Sequence, residues 1–196
     1  MADAASAPIG WQRALMAAQQ VKERLLRATK ALDAAGVPYA VAGGNAVAEW
    51  VGRVDEDAVR NTRDVDLLIR RGDFAAARYA LEAAGFVYHQ VLDVDTFIDG
   101  PQGRPSGGIH ILFAGEKVRP EDEHAVPDLA ESERAADFQV ATLTALVRMK
   151  LVAWRDKDRT HLRDLIGVGL MDATWPARFP PPLDERLQQL LDNPDG

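Results

Sequence analysis

Two aspartates, Asp64 and Asp66, are the side chains in this 196-residue chain whose type and spacing best suit metal binding. They begin the run Asp64–Ile69, which is rich in Val, Leu and Ile and is predicted to form a β-strand. Alternate residues of a strand share a face, so the two carboxylates point the same way, about 7 Å apart, while Val65 and Leu67 can be buried. Neighbouring carboxylates repel each other unless a cation lies between them, and such hard oxygen ligands suit Mg²⁺ or Mn²⁺.

The Asp-x-Asp spacing is weak evidence by itself. It recurs at Asp93–Asp95 and Asp156–Asp158, and two solvated acids at a strand end give the same pattern. The first copy is distinguished by the upstream segment Gly43-Gly44-Asn45, which lies between a predicted strand and a predicted helix. Glycines there let the backbone approach a phosphate, and the free N–H groups of a helix start favour an anion. The sequence therefore predicts an anion site and a cation site at one edge of one sheet.

These two segments carry a family resemblance. Gly43-Gly44-Asn45 followed by Arg60-Asn61-Thr62-Arg63-Asp64-Val65-Asp66 resembles the signature of the DNA polymerase β-like nucleotidyltransferase superfamily. It is particularly similar to bacterial abortive-infection nucleotidyltransferases of type IV toxin–antitoxin systems, in which an Arg-x-Thr-x-Asp-x-Asp-like segment follows the Gly-Gly helix after a longer loop. The resemblance covers roughly residues 35 to 170.

The resemblance implies a metal-dependent transfer of a nucleoside monophosphate from a nucleoside triphosphate to a hydroxyl acceptor. Asp64 and Asp66 would be catalytic and would hold Mg²⁺ (or Mn²⁺). The implied nucleotide-binding residues are Gly43, Gly44, Asn45, Thr62, Arg63, Lys150 and Asp164.

The resemblance extends more loosely into the tail, to Lys150 and to the segment Arg159–Leu165. It implies that Lys150 is catalytic and meets the triphosphate as a point charge, and that Asp164 orients a basic group or the second substrate. The residues alone leave other interpretations open. Lys150 could be a solvated helix lysine whose stem covers apolar surface, and Asp164 could be a surface carboxylate paired within its helix.

One position departs from the family pattern. Active members place a third carboxylate on a neighbouring strand, and the matching strand here, Ile109–Phe113, presents His110 on its polar face. His110 could ligate a metal or act as a general base, it could bind substrate in an altered reaction, or catalysis could be lost while nucleotide binding remains. A purely structural histidine is a further alternative. Asp93, Asp95 or Asp99 on the adjoining strand could also supply the missing acid.

Hydrophobic periodicity predicts the elements that position these residues. Strands are predicted over Val37–Ala42, Asp64–Ile69, Phe86–Ile98 and Ile109–Phe113. Helices are predicted over Trp11–Ala35, Ala46–Val51 with Asn45 as its cap, the segment after Asp73, Thr142–Trp154, Arg159–Leu170 and Leu183–Leu191. This order predicts an α/β (α+β) fold, a small mixed sheet flanked by helices with a C-terminal helical region. We expect a nucleotidyltransferase-like core over residues 1–125 and a helical region over 135–196 that completes the cleft, with Gly115–Ala136 connecting them.

Composition limits the partners. With 23 Lys and Arg against 30 Asp and Glu, the formal charge of −7 argues against general DNA binding. There are no cysteines, which excludes disulfides and cysteine-ligated zinc. The first residues do not resemble a signal peptide, and no apolar run reaches the roughly 20 residues of a membrane span, so we expect a cytoplasmic protein without membrane contact.

The expected partners are a nucleoside triphosphate, an acceptor that could be tRNA, protein or a small molecule, and, from the resemblance, a cognate antitoxin. Two alternatives remain at this point. One is a catalytically impaired protein of the same fold that binds a nucleotide or a partner chain as a regulator. The other is an interaction module built on the helical tail, with no nucleotide affinity.

Overall fold

The structure is a computed structural model that describes residues 10–91 and 94–193. The described residues form six α-helices and seven β-strands. The helices are α1 (Gly10–Ala34), α2 (Gly43–Gly52), α3 (Phe74–Ala83), α4 (Leu143–Ala153), α5 (Asp156–Gly167) and α6 (Leu183–Asp192). The strands are β1 (Tyr39–Ala42), β2 (Val65–Ile69), β3 (Phe86–Val91), β4 (Val94–Asp99), β5 (Ile109–Phe113), β6 (Ser132–Arg134) and β7 (Gln139–Ala141).

The strands form one mixed sheet in the order β3-β4-β5-β2-β1-β7-β6. The pairs β2–β5 and β1–β7 are parallel, and the other pairs are antiparallel. β2 lies at the centre, and its Val65, Leu67 and Ile69 are fully buried, as the alternation predicted. The predicted mixed α/β fold is confirmed.

The two faces of the sheet differ in their cover. Leu67 and Ile69 on one face join a large core to which all six helices contribute. On the other face Ala42 and Leu68 pack only into a small cluster with Val126 and Leu129. Asp66 alternates with Leu67 and therefore lies on this second, less covered face.

The run Phe86–Ile98, predicted as one strand, is two. β3 and β4 pair antiparallel, with Tyr88 opposite Phe97. The pairing brings the rings of Tyr88 and Phe97 to 5.5 Å between centroids, and both also contact Phe74. The prediction was wrong because apolar residues continue through both strands, so no change of periodicity marks the reversal.

The region expected to be helical from residue 135 is not helical throughout. β7 pairs in parallel with β1, and β6 pairs with β7, so this part of the chain extends the sheet before the helices begin. The predicted boundary between residues 125 and 135 stays a prediction. Within the described residues, every helix is too short or too polar to cross a membrane.

Candidate active site

Asp64, Asp66 and His110 form a compact cluster on the less covered face of the sheet. β2 and β5 are parallel neighbours, and their register places Asp66 directly beside His110. His110 Nδ1 lies 3.5 Å from Asp66 Oδ1 and 3.8 Å from Asp64 Oδ2. Each residue offers one ligand atom, and the three atoms lie within 4.8 Å of one another. The sequence prediction that the two aspartates face the same way, opposite the buried Val65 and Leu67, is therefore confirmed.

The Asp64 carboxylate is held in one orientation by its own segment. Thr62 Oγ1 donates a hydrogen bond of 2.8 Å to Asp64 Oδ1. Burial opposes ionisation of Asp64, but this hydrogen bond, together with the charges of Lys157 and His110, holds its pKa below the ordinary value. The Asp64 carboxylate is thus ionised at neutral pH.

His110 is fixed by a contact on each ring nitrogen. Its Nε2 lies 3.3 Å from the carbonyl oxygen of Pro105, which can only accept, so Nε2 carries a hydrogen. Its Nδ1 faces Asp66 and Asp64. The hydrogen bond to Asp66 raises the pKa of His110 against the opposing effect of burial, and the charges of both aspartates raise it further. An unprotonated Nδ1 would point its lone pair at two carboxylates. This repulsion is relieved only when a proton or a metal cation lies between them.

The two glycines are required by close packing against the acidic segment. Gly43 has φ +62, and a β-carbon there would lie 1.7 Å from Asp66 Oδ2. A β-carbon on Gly44 would lie 2.8 Å from Thr62 Oγ1. Only glycine at these two positions leaves room for the Asp66 and Thr62 side chains as they stand, so the Gly-Gly turn and the Asp-x-Asp strand form one unit. The role of the glycines in phosphate binding stays a prediction.

Asn45 was predicted to cap α2, and this prediction was wrong. The left-handed backbone of Gly43 starts the helix earlier, with Ala42 at the cap position, so Asn45 lies inside the first turn. Its Nδ2 instead donates a hydrogen bond of 2.8 Å to the backbone carbonyl of Asp64. Asn45 therefore ties the start of α2 to the segment that carries Asp64 and Asp66.

Neither described acid of the neighbouring hairpin reaches the cluster. Asp95 accepts a hydrogen bond of 2.6 Å from the Tyr88 hydroxyl, and Asp99 forms ion pairs with Arg24 and Arg27. Asp93 lies outside the described residues. These contacts engage both carboxylates elsewhere. Across the strands, the residue paired with His110 in β4 is Thr96, which is not an acid. Among the described residues, His110 is the third group at the site.

Lys150 lies in a buried ion pair rather than in the open cleft. Its Nζ donates to Asp158 Oδ1 at 3.1 Å, and the Asp158 side chain is fully buried. Asp158 also accepts from Arg155 Nε at 2.7 Å. The Lys150 charge is thus already compensated, so its predicted contact with the triphosphate stays a prediction.

The cations whose charges act on the aspartates include two that the sequence reasoning missed. Lys157 lowers the pKa of Asp64. Against burial, the hydrogen bond and charge of Asp158 raise the pKa of Arg155, with smaller contributions from Asp66 and Asp64. Both cations lie at the start of α5, one turn or less from Asp158. The available signal was the segment Asp156-Lys157-Asp158, which the sequence reasoning considered only as another Asp-x-Asp.

Asp164 joins α5 to the loop before β2. Arg60 Nε donates a hydrogen bond of 2.8 Å to Asp164 Oδ1. Arg63, in the same loop, is exposed, and its carbonyl accepts from Arg24 at 3.4 Å. The tail helix is therefore anchored to the segment that carries Thr62 and Asp64, while the proposed contacts of Arg63 and Asp164 with nucleotide stay predictions.

Comparison with known proteins bears on the family and the fold. A family model described as "Nucleotidyl transferase AbiEii toxin, Type IV TA system" matches residues 24–192. No curated protein matches the chain.

Three solved structures share the fold. The antibiotic-resistance factor ANT(2'')-Ia in solution is 16% identical, with a TM-score of 0.54 over 90% of this chain and 92% of that one. The crystal structure of ANT(2'')-Ia in complex with adenylyl-2''-tobramycin gives 16% identity and a TM-score of 0.55 over 87% and 98%. An antigenic nucleotidyltransferase-like protein from Paracoccidioides brasiliensis gives 16% and 0.53 over 92% and 88%.

Proposed function

We propose a function from the premise that the chain belongs to the AbiEii family of nucleotidyl transferase toxins. The protein moves a nucleoside monophosphate from a nucleoside triphosphate to a hydroxyl acceptor with the help of a divalent metal ion. One observation carries the metal-dependent part of this proposal. The ligand atoms of Asp64, Asp66 and His110 lie within 4.8 Å of one another beside the Gly43-Gly44 turn.

The residues fit a divalent ion by chemistry and by spacing. Ligand atoms about 2.1 Å from one ion lie about 3 Å apart when adjacent and about 4.2 Å apart when opposite. The His110 distances of 3.5 and 3.8 Å to the two carboxylates lie within this range. Asp64, Asp66 and His110 would therefore hold the ion. When bound, the ion would supply positive charge that offsets the triphosphate and polarises the α-phosphate.

The protein groups around this cluster can bind and orient the triphosphate. The backbone N–H groups at the start of α2, beside Gly43 and Gly44, would take the phosphate tail. Lys157 and Arg155, whose charges already act on the aspartates, would offset its negative charge from the side of α5. Lys150 would act on the triphosphate indirectly. It pairs with Asp158, and Asp158 accepts a hydrogen bond from Arg155 and so holds the guanidinium in place.

The transfer itself balances simply. The acceptor oxygen forms a bond to the α-phosphorus, the bond between the α-phosphorus and the bridging oxygen breaks, and pyrophosphate leaves. The hydroxyl proton is lost to solvent. The acceptor would be a hydroxyl of RNA, protein or a small molecule. In line with the family description, modification of this acceptor would be toxic, and a cognate antitoxin would control the protein.

The test uses nucleoside triphosphates labelled at the α-phosphate, Mg²⁺ or Mn²⁺, and RNA, protein and small-molecule acceptors in parallel. The expected result is metal-dependent labelling of one acceptor class and its loss in Asp64→Asn. Labelling that persists unchanged in Asp64→Asn contradicts the assignment of the site.

One observation favours a second candidate. The third group of the cluster is an imidazole rather than a carboxylate, which is the change expected if catalysis were lost while nucleotide binding remained. In that case the protein would be a nucleotide-binding regulator of the same fold. Calorimetric binding of metal–nucleotide, with no pyrophosphate released over the whole acceptor screen, would support this candidate, whereas transfer to any acceptor would eliminate it.

A further inference from the structure

The donor set of the cluster differs from an all-carboxylate magnesium site. Asp64 and Asp66 provide oxygen atoms, and His110 provides a ring nitrogen. Carboxylate and water ligands suit Mg²⁺, whereas imidazole nitrogen suits first-row transition metals, whose affinity for nitrogen ligands rises from Mn²⁺ onwards. Mn²⁺ is a first-row ion that suits carboxylate oxygens, also accepts an imidazole nitrogen, and serves in phosphoryl transfer.

The ring is oriented as a metal ligand. The Pro105 carbonyl requires the hydrogen on Nε2, which leaves Nδ1 as the nitrogen that faces both carboxylates. A hydrogen bond from the far ring nitrogen to a backbone carbonyl is the usual way in which a metal-binding histidine is held in one tautomer and one orientation.

The loop that provides this carbonyl is packed closely against β4. A β-carbon on Gly108 would lie 2.9 Å from the Phe97 carbonyl and 2.9 Å from Thr96 Cγ2, and one on Gly103 would lie 2.7 Å from the Asp99 nitrogen. Thr96 pairs with His110 across the strands and is almost fully buried. The Pro105 carbonyl is therefore fixed relative to the sheet, and so is the His110 ring.

We propose that His110 makes this site prefer Mn²⁺ to Mg²⁺, because the ring nitrogen of His110 binds the ion together with the oxygen atoms of Asp64 and Asp66. The inference rests on the metal site of the proposed function and adds the identity of the ion. A carboxylate at position 110 would weaken the preference, because all three ligands would then be oxygen atoms.

The test measures binding of the metal alone, without nucleotide or acceptor. Mn²⁺ is titrated into the full-length protein while the signal of free Mn²⁺ is followed by electron paramagnetic resonance, and Mg²⁺ affinity is obtained by competition. We expect the wild type to prefer Mn²⁺ over Mg²⁺ by about tenfold or more, and His110→Asp to lose about tenfold of that preference.

A matched control is His89→Asp. His89 is exposed and pairs with Thr96, so it lies two strands from His110 on the same face, about 10 Å away. The substitution makes the same chemical change without reaching the cluster, and we expect it to leave the Mn²⁺ preference unchanged.

A pulsed resonance measurement on the wild type gives an answer that does not depend on how the variants fold. Coupling of bound Mn²⁺ to a directly ligated nitrogen supports the proposal, and bound Mn²⁺ without nitrogen coupling overturns it. Absence of Mn²⁺ binding, or equal preference in wild type and His110→Asp, also overturns it. Nucleotidyl transfer that runs equally well with Mg²⁺ would contradict the preference for Mn²⁺ over Mg²⁺ while leaving the proposed function intact.

Discussion

Gly43 and Asp66 occupy adjoining space so closely that a β-carbon on Gly43 would lie 1.7 Å from Asp66 Oδ2. The pairing of Ala42 with Asp66 between β1 and β2 sets this contact, and the left-handed φ of +62 at Gly43 turns the chain into α2 immediately after it. The glycine that begins the helix is thus the residue that leaves room for a proposed metal ligand.

The substitution Gly43→Ala should therefore damage the site as well as the fold. The new methyl group must displace the Asp66 carboxylate, so we expect loss of metal binding and of transfer, in addition to a backbone cost of about 1 to 2 kcal/mol. Gly36→Ala is the matched control, because Gly36 has φ +65 and a β-carbon there would meet nothing within 4 Å. It should show the backbone cost by urea unfolding with metal binding intact. Equal metal affinity in the two variants would contradict the packing argument.

The buried pair of Lys150 and Asp158 should be important for stability. Asp158→Asn leaves the Lys150 ammonium buried without a carboxylate partner, and breaking such a pair costs about 3 to 5 kcal/mol. Asp156→Asn, two residues earlier in the same helical turn, removes a carboxylate that is 92% exposed and pairs with Arg159. It should cost at most about 1 kcal/mol. Urea unfolding of both variants measures the contrast, and similar losses would refute it.

His161 should make the protein less stable in mild acid. Burial, followed by the nearby Lys150 charge, lowers the pKa of His161 from 6.5 to about 4. Between these values the unfolded chain binds a proton that the folded chain does not. The contribution of His161 to stability is therefore fully present above the pKa of the unfolded chain, and it is lost as the pH falls towards the pKa of the folded chain. We expect the free energy of unfolding of the wild type to fall more steeply from about pH 7 to about pH 5 than that of His161→Gln. Parallel curves would show that the folded ring titrates normally.

Lys157 should assist nucleotide binding from the solvent side. The side chain is exposed, yet its charge lowers the pKa of Asp64. Lys157→Gln should raise the Kd or KM for the nucleoside triphosphate by roughly fivefold at low ionic strength, with a smaller effect in high salt. Lys30→Gln makes the same charge change at an exposed position of α1 and should have little effect. If Lys30→Gln weakened binding as much, the effect would come from net charge.

The central unit of the site was predictable because it is local in sequence. Alternation in Asp64–Ile69 correctly placed both aspartates on one face, and the same rule placed His110 on the polar face of β5. The neighbouring positions of β2 and β5 followed from the resemblance to known nucleotidyltransferases, since strand order cannot be read from periodicity.

Apart from the strands that were wrongly assigned, the sequence did not reveal contacts that side chains make with other segments. Asn45 has the residue type of a helix cap, but the helix starts earlier, at the left-handed Gly43. The Asn45 amide donates a hydrogen bond to the backbone carbonyl of Asp64 instead. Lys150 lies on α4 as predicted, and its contact with the triphosphate stays a prediction, but its buried pairing with Asp158 of the next helix was not expected. Local patterns contain no information about either partner.

The most direct test of the account is transfer of α-labelled nucleotide by the wild type and by Asp66→Asn, with and without divalent metal. Asn keeps the size of the side chain and removes the charge that the proposed ion requires. The account predicts labelling that requires the metal and falls by about a hundredfold or more in Asp66→Asn, the scale expected when a charge-stabilising group is lost from an active site. Labelling that proceeds without metal, or at the wild-type rate in Asp66→Asn, would contradict it.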